Sequence, residues 1–148
     1  MGLNGMKNVV GIGGCAQQHG TVYTAQGFLA ALQTADVSLP LHTQLQDYFT
    51  LPLSPIWMDS STEEYCERLE EKIGSEELCN RTGSRAHARF SVHHIHRMVN
   101  ESPELYESTE RVLLVSNFLG TLLTGKYMAI DFSDGSGMNL LDVFRRSG

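Results

Sequence analysis

The sequence predicts an α/β domain. Short, β-branched apolar runs recur along the chain, and between them lie capped amphipathic segments of helical length. With 148 residues, 41% of them hydrophobic, the chain has enough apolar material for one domain with a packed core.

The run at 8–14, NVVGIGG, predicts a buried strand. Residues 21–24, TVYT, predict a second strand that returns after a turn at His19 and Gly20. Residues 25–54 carry Pro40, Pro52 and patchy hydrophobicity, and read as a mixed excursion. The stretch 55–58 reads as a strand entering a loop at Asp59, Ser60 and Ser61. Ser61 to Glu64 has the form of a capping box, in which the serine hydroxyl bonds the Glu64 amide and the glutamate reaches back. The helix that follows carries Cys66, Leu69 and Ile73 on one apolar stripe, assigned to the core, and Gly74 is its left-handed stop. A shorter helix runs from Ser75 to Gly83, and another from about Ser91 to Asn100 with Ile95, Met98 and Val99 inward. Pro103 restarts a short helix at its first position. A strand at 111–115 leads to a helix capped by Ser116, bearing Phe118, Leu119, Leu122 and Leu123 and closed by Gly125. Residues 131–137, DFSDGSG, read as a polar loop.

Charge and composition exclude several classes. The formal net charge is -6, and no lysine or arginine block interleaved with aromatics appears, so nucleic acid is not expected as a partner. No apolar run approaches the ~20 residues of a membrane helix, and the first residues lack a secretory h-region. Three cysteines, Cys15, Cys66 and Cys79, share no CxxC spacing, which fits a reduced, cytoplasmic location.

Four clusters could carry chemistry. At 15–20, CAQQHG, an apolar strand ends in Gln17, Gln18 and His19, side chains that offer donors and acceptors to ligand hydroxyls, while Gly13 and Gly14 permit close backbone approach. The alternative is a polar turn, and the glycines do not form the GxGxxG of a dinucleotide site. Asp131 and Asp134, three apart among Ser and Gly, could be a general base, a metal site or turn formers. A calcium loop fails, because its sixth position is Ser136 and its twelfth is Asp142. His93 and His96 lie at metal-sharing spacing beside His94, but without supporting Cys or carboxylate, so an exposed polar helix face is expected. Arg85 and Arg89 flank His87 in a basic patch able to clamp a phosphate or hydroxyls.

Five segments, in this order and spacing, resemble the N-terminal domain of the FGGY carbohydrate kinases, in the animal-type branch that phosphorylates D-xylulose. They are VVGIGGCAQQHG at 9–20, IWMDSST at 56–62, TGSRAHARF at 82–90, the stretch 103–115, and IDFSDGSGMNLL at 130–141. The resemblance implies an actin-like ATPase fold built from two ribonuclease-H-like domains. It also implies phosphoryl transfer from ATP, with Mg²⁺, to the 5-hydroxyl of D-xylulose. Residues 1–148 would be part of the sugar-side N-terminal domain, with the ATP-binding C-terminal domain outside them. Gln18 and His19 then match a sugar-contacting pair, Arg89 an arginine at the sugar, and Asp131 the aspartate that takes the hydroxyl proton, with Asp134 structural. Asp59 stands where relatives have Trp-x-Asp-x-Arg, but Ser61 replaces the arginine, which makes Asp59 a secondary sugar-site residue. His94 stands where a lysine is common. Other sugar or polyol kinases of the family remain open, as does a non-catalytic sugar-binding or interaction module, and the 148 residues alone are expected to be inactive.

Overall fold

β-branched and aromatic residues at 21–24 begin the sheet. A computed structural model describes residues 7–145, and in it β1 (Thr21–Ala25) pairs antiparallel with β2 (Thr109–Leu114). Thr21 lies opposite Leu114 and Tyr23 opposite Val112, with a bulge between Thr24 and Ala25. Between the strands run α1 (Phe28–Gln33), α2 (Leu41–Leu45) with a 3₁₀ turn (Gln46–Tyr48), α3 (Glu63–Ile73), α4 (Ser75–Thr82), α5 (Ser91–Glu101) and α6 (Pro103–Ser108). After β2 come α7 (Val115–Thr124) and α8 (Phe132–Ser136).

Two faces of the strand pair are buried. Val22 and Leu113 pack with Phe28, Phe49 and Phe118, whose rings meet at centroid distances of 5.6–5.9 Å. Thr24, fully buried, donates its hydroxyl to the Arg111 carbonyl at 3.3 Å, which satisfies a polar group inside the sheet. The helical side of the core holds Tyr65, Leu78, Phe90, Met98 and Met138.

The structure corrects several expectations. The run at 8–14 is not a strand: it forms no ladder among the described residues, and Val9, Val10 and Ile12 are exposed. An apolar run becomes a strand only where a neighbour completes its hydrogen bonds. The stretch 55–58 is a turn. The Pro55 carbonyl accepts from Thr21 N at 3.3 Å, but proline has no N–H to return a second bond, and Asp59 N closes on the Ile56 carbonyl at 2.9 Å.

The capping box does not form. Thr62 is the N-cap of α3, its hydroxyl donating instead to the Ala88 carbonyl at 2.6 Å, while the Ser61 amide bonds Asp59 Oδ1 at 2.9 Å. Of the α3 stripe, Cys66 and Leu69 are half-buried and Ile73 is exposed. The buried residue is Tyr65, whose hydroxyl donates to Glu101 and whose ring meets His96 edge-on, fixing α3 against α5. Gly74 has the positive φ expected (91°), but its ψ of 131° turns the chain straight into α4. Gly83 and Gly125 close α4 and α7 in left-handed conformation as expected.

On α5 the inward face is the reverse of an exposed histidine face. His93 and His94 are buried with Met98, Ile95 is half-buried, and Val99 is exposed. α7 starts at Val115, and Asn117, not Ser116, fixes its entry by accepting the Leu114 amide at 2.7 Å. The predicted polar loop contains α8, a single short helix.

Candidate functional site

A polar cluster that the sequence distributes over three segments converges around His19. This residue sits in the turn before β1 with φ of 66°, a left-handed conformation uncommon outside glycine, and it is buried. Its ring packs on Phe90 at a centroid distance of 5.1 Å. Burial, and then the Arg89 guanidinium, push the imidazole below its ordinary value, whereas the Gly137 backbone carbonyl and the Asp134 carboxylate pull the other way. The ring is therefore neutral at pH 7, with one donor and one acceptor nitrogen. Gln18 lies exposed in the same turn.

Arg89 reaches this point from the α4–α5 connection. It is half-buried, its guanidinium lies 5.8 Å from the centroid of the Phe90 ring, and its Nε is buried without a hydrogen-bond partner among the described residues. The connection is fixed from both sides. Thr62 holds the Ala88 carbonyl, and Asn139, at φ of 56°, donates to Thr82 Oγ1 at 2.7 Å and to Ser84. Val92 N bonds the Met138 carbonyl at 3.1 Å. These bonds seat the segment after α8 beside the segment carrying Arg89. Arg85, by contrast, points to a partner of its own, Glu70, at 2.9 Å on the surface.

α8 brings the two aspartates, in different roles. Asp131 is its N-cap: Oδ1 accepts the amides of Ser133 and Asp134 at 2.8 and 3.1 Å, and the residue is exposed. Asp134 is half-buried, accepts the Ser116 hydroxyl, and is the carboxylate that acts on His19. Among the two aspartates, sequence reasoning singled out the one that caps; the contact of Asp134 with Ser116 on α7 carries no sequence signal. Asn139, Phe90 and Gly137 were likewise missed, although a left-handed Asn is a recognisable preference.

Asp59 belongs to a different group. Its partners are the Ser61 amide and hydroxyl, His94 Nδ1 at 4.0 Å and, through charge, Arg97, which itself donates to Ser61. Burial raises the Asp59 carboxyl, but the Ser61 bonds and the nearby cations outweigh it and hold it below the usual range. Gly14, expected to admit a ligand, faces Leu119, where an added Cβ would lie 2.7 Å from Cδ2.

A cavity of about 760 Å³ is an apolar groove between α2, β1 and α7, lined by Val22, Leu45, Phe49, Phe118 and Leu122 among others. Its walls offer little to a polyhydroxylated ligand, and the polar cluster lies outside it. Among the described residues no three His, Cys, Asp or Glu side chains gather as metal ligands, and no helix is long and apolar enough to cross a membrane.

A family model described as the N-terminal domain of the FGGY family of carbohydrate kinases matches residues 43–147. Xylulose kinase of Mus musculus is 46% identical over 138 residues, 93% of this chain and 25% of its own. Xylulose kinase 2 of Arabidopsis thaliana is 43% identical over 139 residues, again 93% of this chain and 25% of its own. The chain thus spans about a quarter of the length of these relatives. The crystal structure of a xyloylose kinase from Brucella ovis superposes with a TM-score of 0.66 over 88% of this chain and 22% of its own, at 19% identity, a likeness of fold.

Proposed function

The chain belongs to the FGGY family of carbohydrate kinases, and from that premise we propose that it forms the sugar-side wall of the active site in an ATP-dependent kinase. The proposed reaction converts D-xylulose to D-xylulose 5-phosphate. The carrying observation is the convergence of His19, Arg89, Asp134 and Gly137 from segments up to 118 positions apart on one buried imidazole. The xylulose kinase names of the relatives support the choice of sugar.

In this reading the neutral His19 ring hydrogen-bonds a sugar hydroxyl, Arg89 donates to a second, and Gln18 covers the open side of the turn. The attacking hydroxyl also needs a proton acceptor. The sequence resemblance favours Asp131, and Asp134 is the alternative because its carboxylate acts on His19; each has one oxygen engaged, Asp131 in capping α8 and Asp134 by Ser116. Asp59, tied to Ser61 and His94, supports the turn before α3 at one remove. ATP supplies the phosphoryl group and Mg²⁺ would screen its charge. Such an ion is held by one or two carboxylates together with the nucleotide phosphates.

Binding and turnover in the intact protein test the proposal. His19→Ala and Arg89→Ala should each weaken D-xylulose binding by roughly 5- to 150-fold, the scale of ~1–3 kcal/mol for a buried group left unpartnered. Arg85→Ala should bind as the parent does. Unchanged affinity in both His19 and Arg89 variants overturns the site, and absence of D-xylulose-dependent ADP release from the parent overturns the activity.

A further inference from the structure

Gly137 has φ of −74° and ψ of 0°, a conformation open to any residue, so its backbone does not require glycine. Its surroundings do. A Cβ built there would lie 2.9 Å from His19 Cε1 and 3.2 Å from Nδ1, closer than packed side chains tolerate. The Cε1–Nδ1 edge of the imidazole therefore faces a bare Cα, and the Gly137 backbone carbonyl acts on the ring to raise its proton affinity. Phe90 packs on the ring at 5.1 Å, and the left-handed backbone of His19 aims it.

Gly137 is itself held. Its amide donates to the Asp134 carbonyl at 3.1 Å within the turn that ends α8, and the helix start is fixed by Asp131. Downstream, Met138 and Asn139 fasten the chain to α5 and α4.

We propose that Gly137 is a positioning residue for His19: the missing side chain lets the ring seat against the exit of α8, and the Gly137 carbonyl takes the Nδ1–H bond, leaving Nε2 as the acceptor for a sugar hydroxyl. The sugar half of this statement rests on the function proposed above. The tautomer half stands on the fold. A hydrogen bond at one ring nitrogen fixes which nitrogen carries the proton, and so which faces the ligand with its lone pair.

Histidine-labelled ¹⁵N spectra of the intact protein, without sugar, should show His19 as a single Nδ1–H tautomer. Gly137→Ala should shift those signals toward a tautomer mixture and weaken D-xylulose binding about tenfold, the scale of one hydrogen bond lost at a buried partner. Adding Gly137→Ala to His19→Ala should then cost nothing further, because the glycine acts through the ring. An Nε2–H tautomer or a mixture in the parent overturns the proposal whether or not the variant folds, as do losses that add in the double variant. Should His19→Ala leave sugar affinity unchanged, the sugar contact falls, and the parent spectra still decide the tautomer.

Discussion

Asp131 and Asp134 share one short segment and differ in what their carboxylates do. Asp131 caps α8 from an exposed position, whereas Asp134 is held by Ser116 and acts on His19. Asparagine is as good an N-cap as aspartate, so Asp131→Asn removes a proton acceptor while keeping the helix start. If Asp131 is the acceptor, that variant retains D-xylulose affinity and loses ~10²-fold or more in turnover. If Asp134 is the acceptor, the large loss moves to Asp134→Asn. Steady-state kinetics on both, with melting temperatures as the stability control, separate the two. Parent-like turnover in both variants would place the acceptor elsewhere in the protein. The ambiguity arises because a carboxylate among Ser and Gly residues has the same sequence signature as cap and as base.

At the scale of elements, α5 joins the two halves of the helical layer and carries an unusual burden. His93 is fully buried, and neither ring nitrogen has a hydrogen-bond partner among the described residues. Burial first, then the charges that His94, His96 and His87 would carry, pull its pKa from 6.5 to about 4, with the Tyr65 backbone opposing the shift. His94 is lowered as well, by burial and then Arg97, with Asp59 opposing. The folded state thus binds these protons less readily than the unfolded chain. The stability that neutral His93 confers is complete above pH 6.5 and is lost as pH falls toward 4. Melting temperature should therefore decline across that window, and His93→Gln should flatten the decline relative to the parent. Equal slopes in parent and variant would show that His93 is not the group responsible.

For the molecule as a whole, the sheet is the weak point. Two strands alone are marginal in water, and here they close a loop of more than 80 residues. Large apolar side chains are also exposed: Val10 and Val37 fully, with Ile12, Leu53 and Phe144 largely so. Expressed by itself, the 148-residue chain should bind a hydrophobic dye strongly, self-associate, and show no ATP-dependent phosphorylation of D-xylulose. Phosphoryl transfer needs nucleotide, metal and hydroxyl aligned in a water-excluding cleft, of which the described residues supply one wall in the function proposed above. A monodisperse preparation with turnover above background would contradict this.

The sequence by itself determined the local punctuation and the family. Gly83 and Gly125 end their helices, Pro103 starts one, 21–24 is a strand, and the ordered motifs around His19, Arg89 and Asp131 carry the kinase resemblance. These depend on backbone conformation and on residues near in the chain, which a sequence displays directly. The partners were decided by tertiary structure. Whether an apolar run becomes a strand depends on a neighbour to complete its hydrogen bonds, which 8–14 lacks among the described residues. Whether a histidine is buried depends on what packs against its helix, as Tyr65 does beside α5. Which aspartate reaches His19, and why position 137 has no side chain, depend on contacts between segments over a hundred residues apart, where no periodicity reaches.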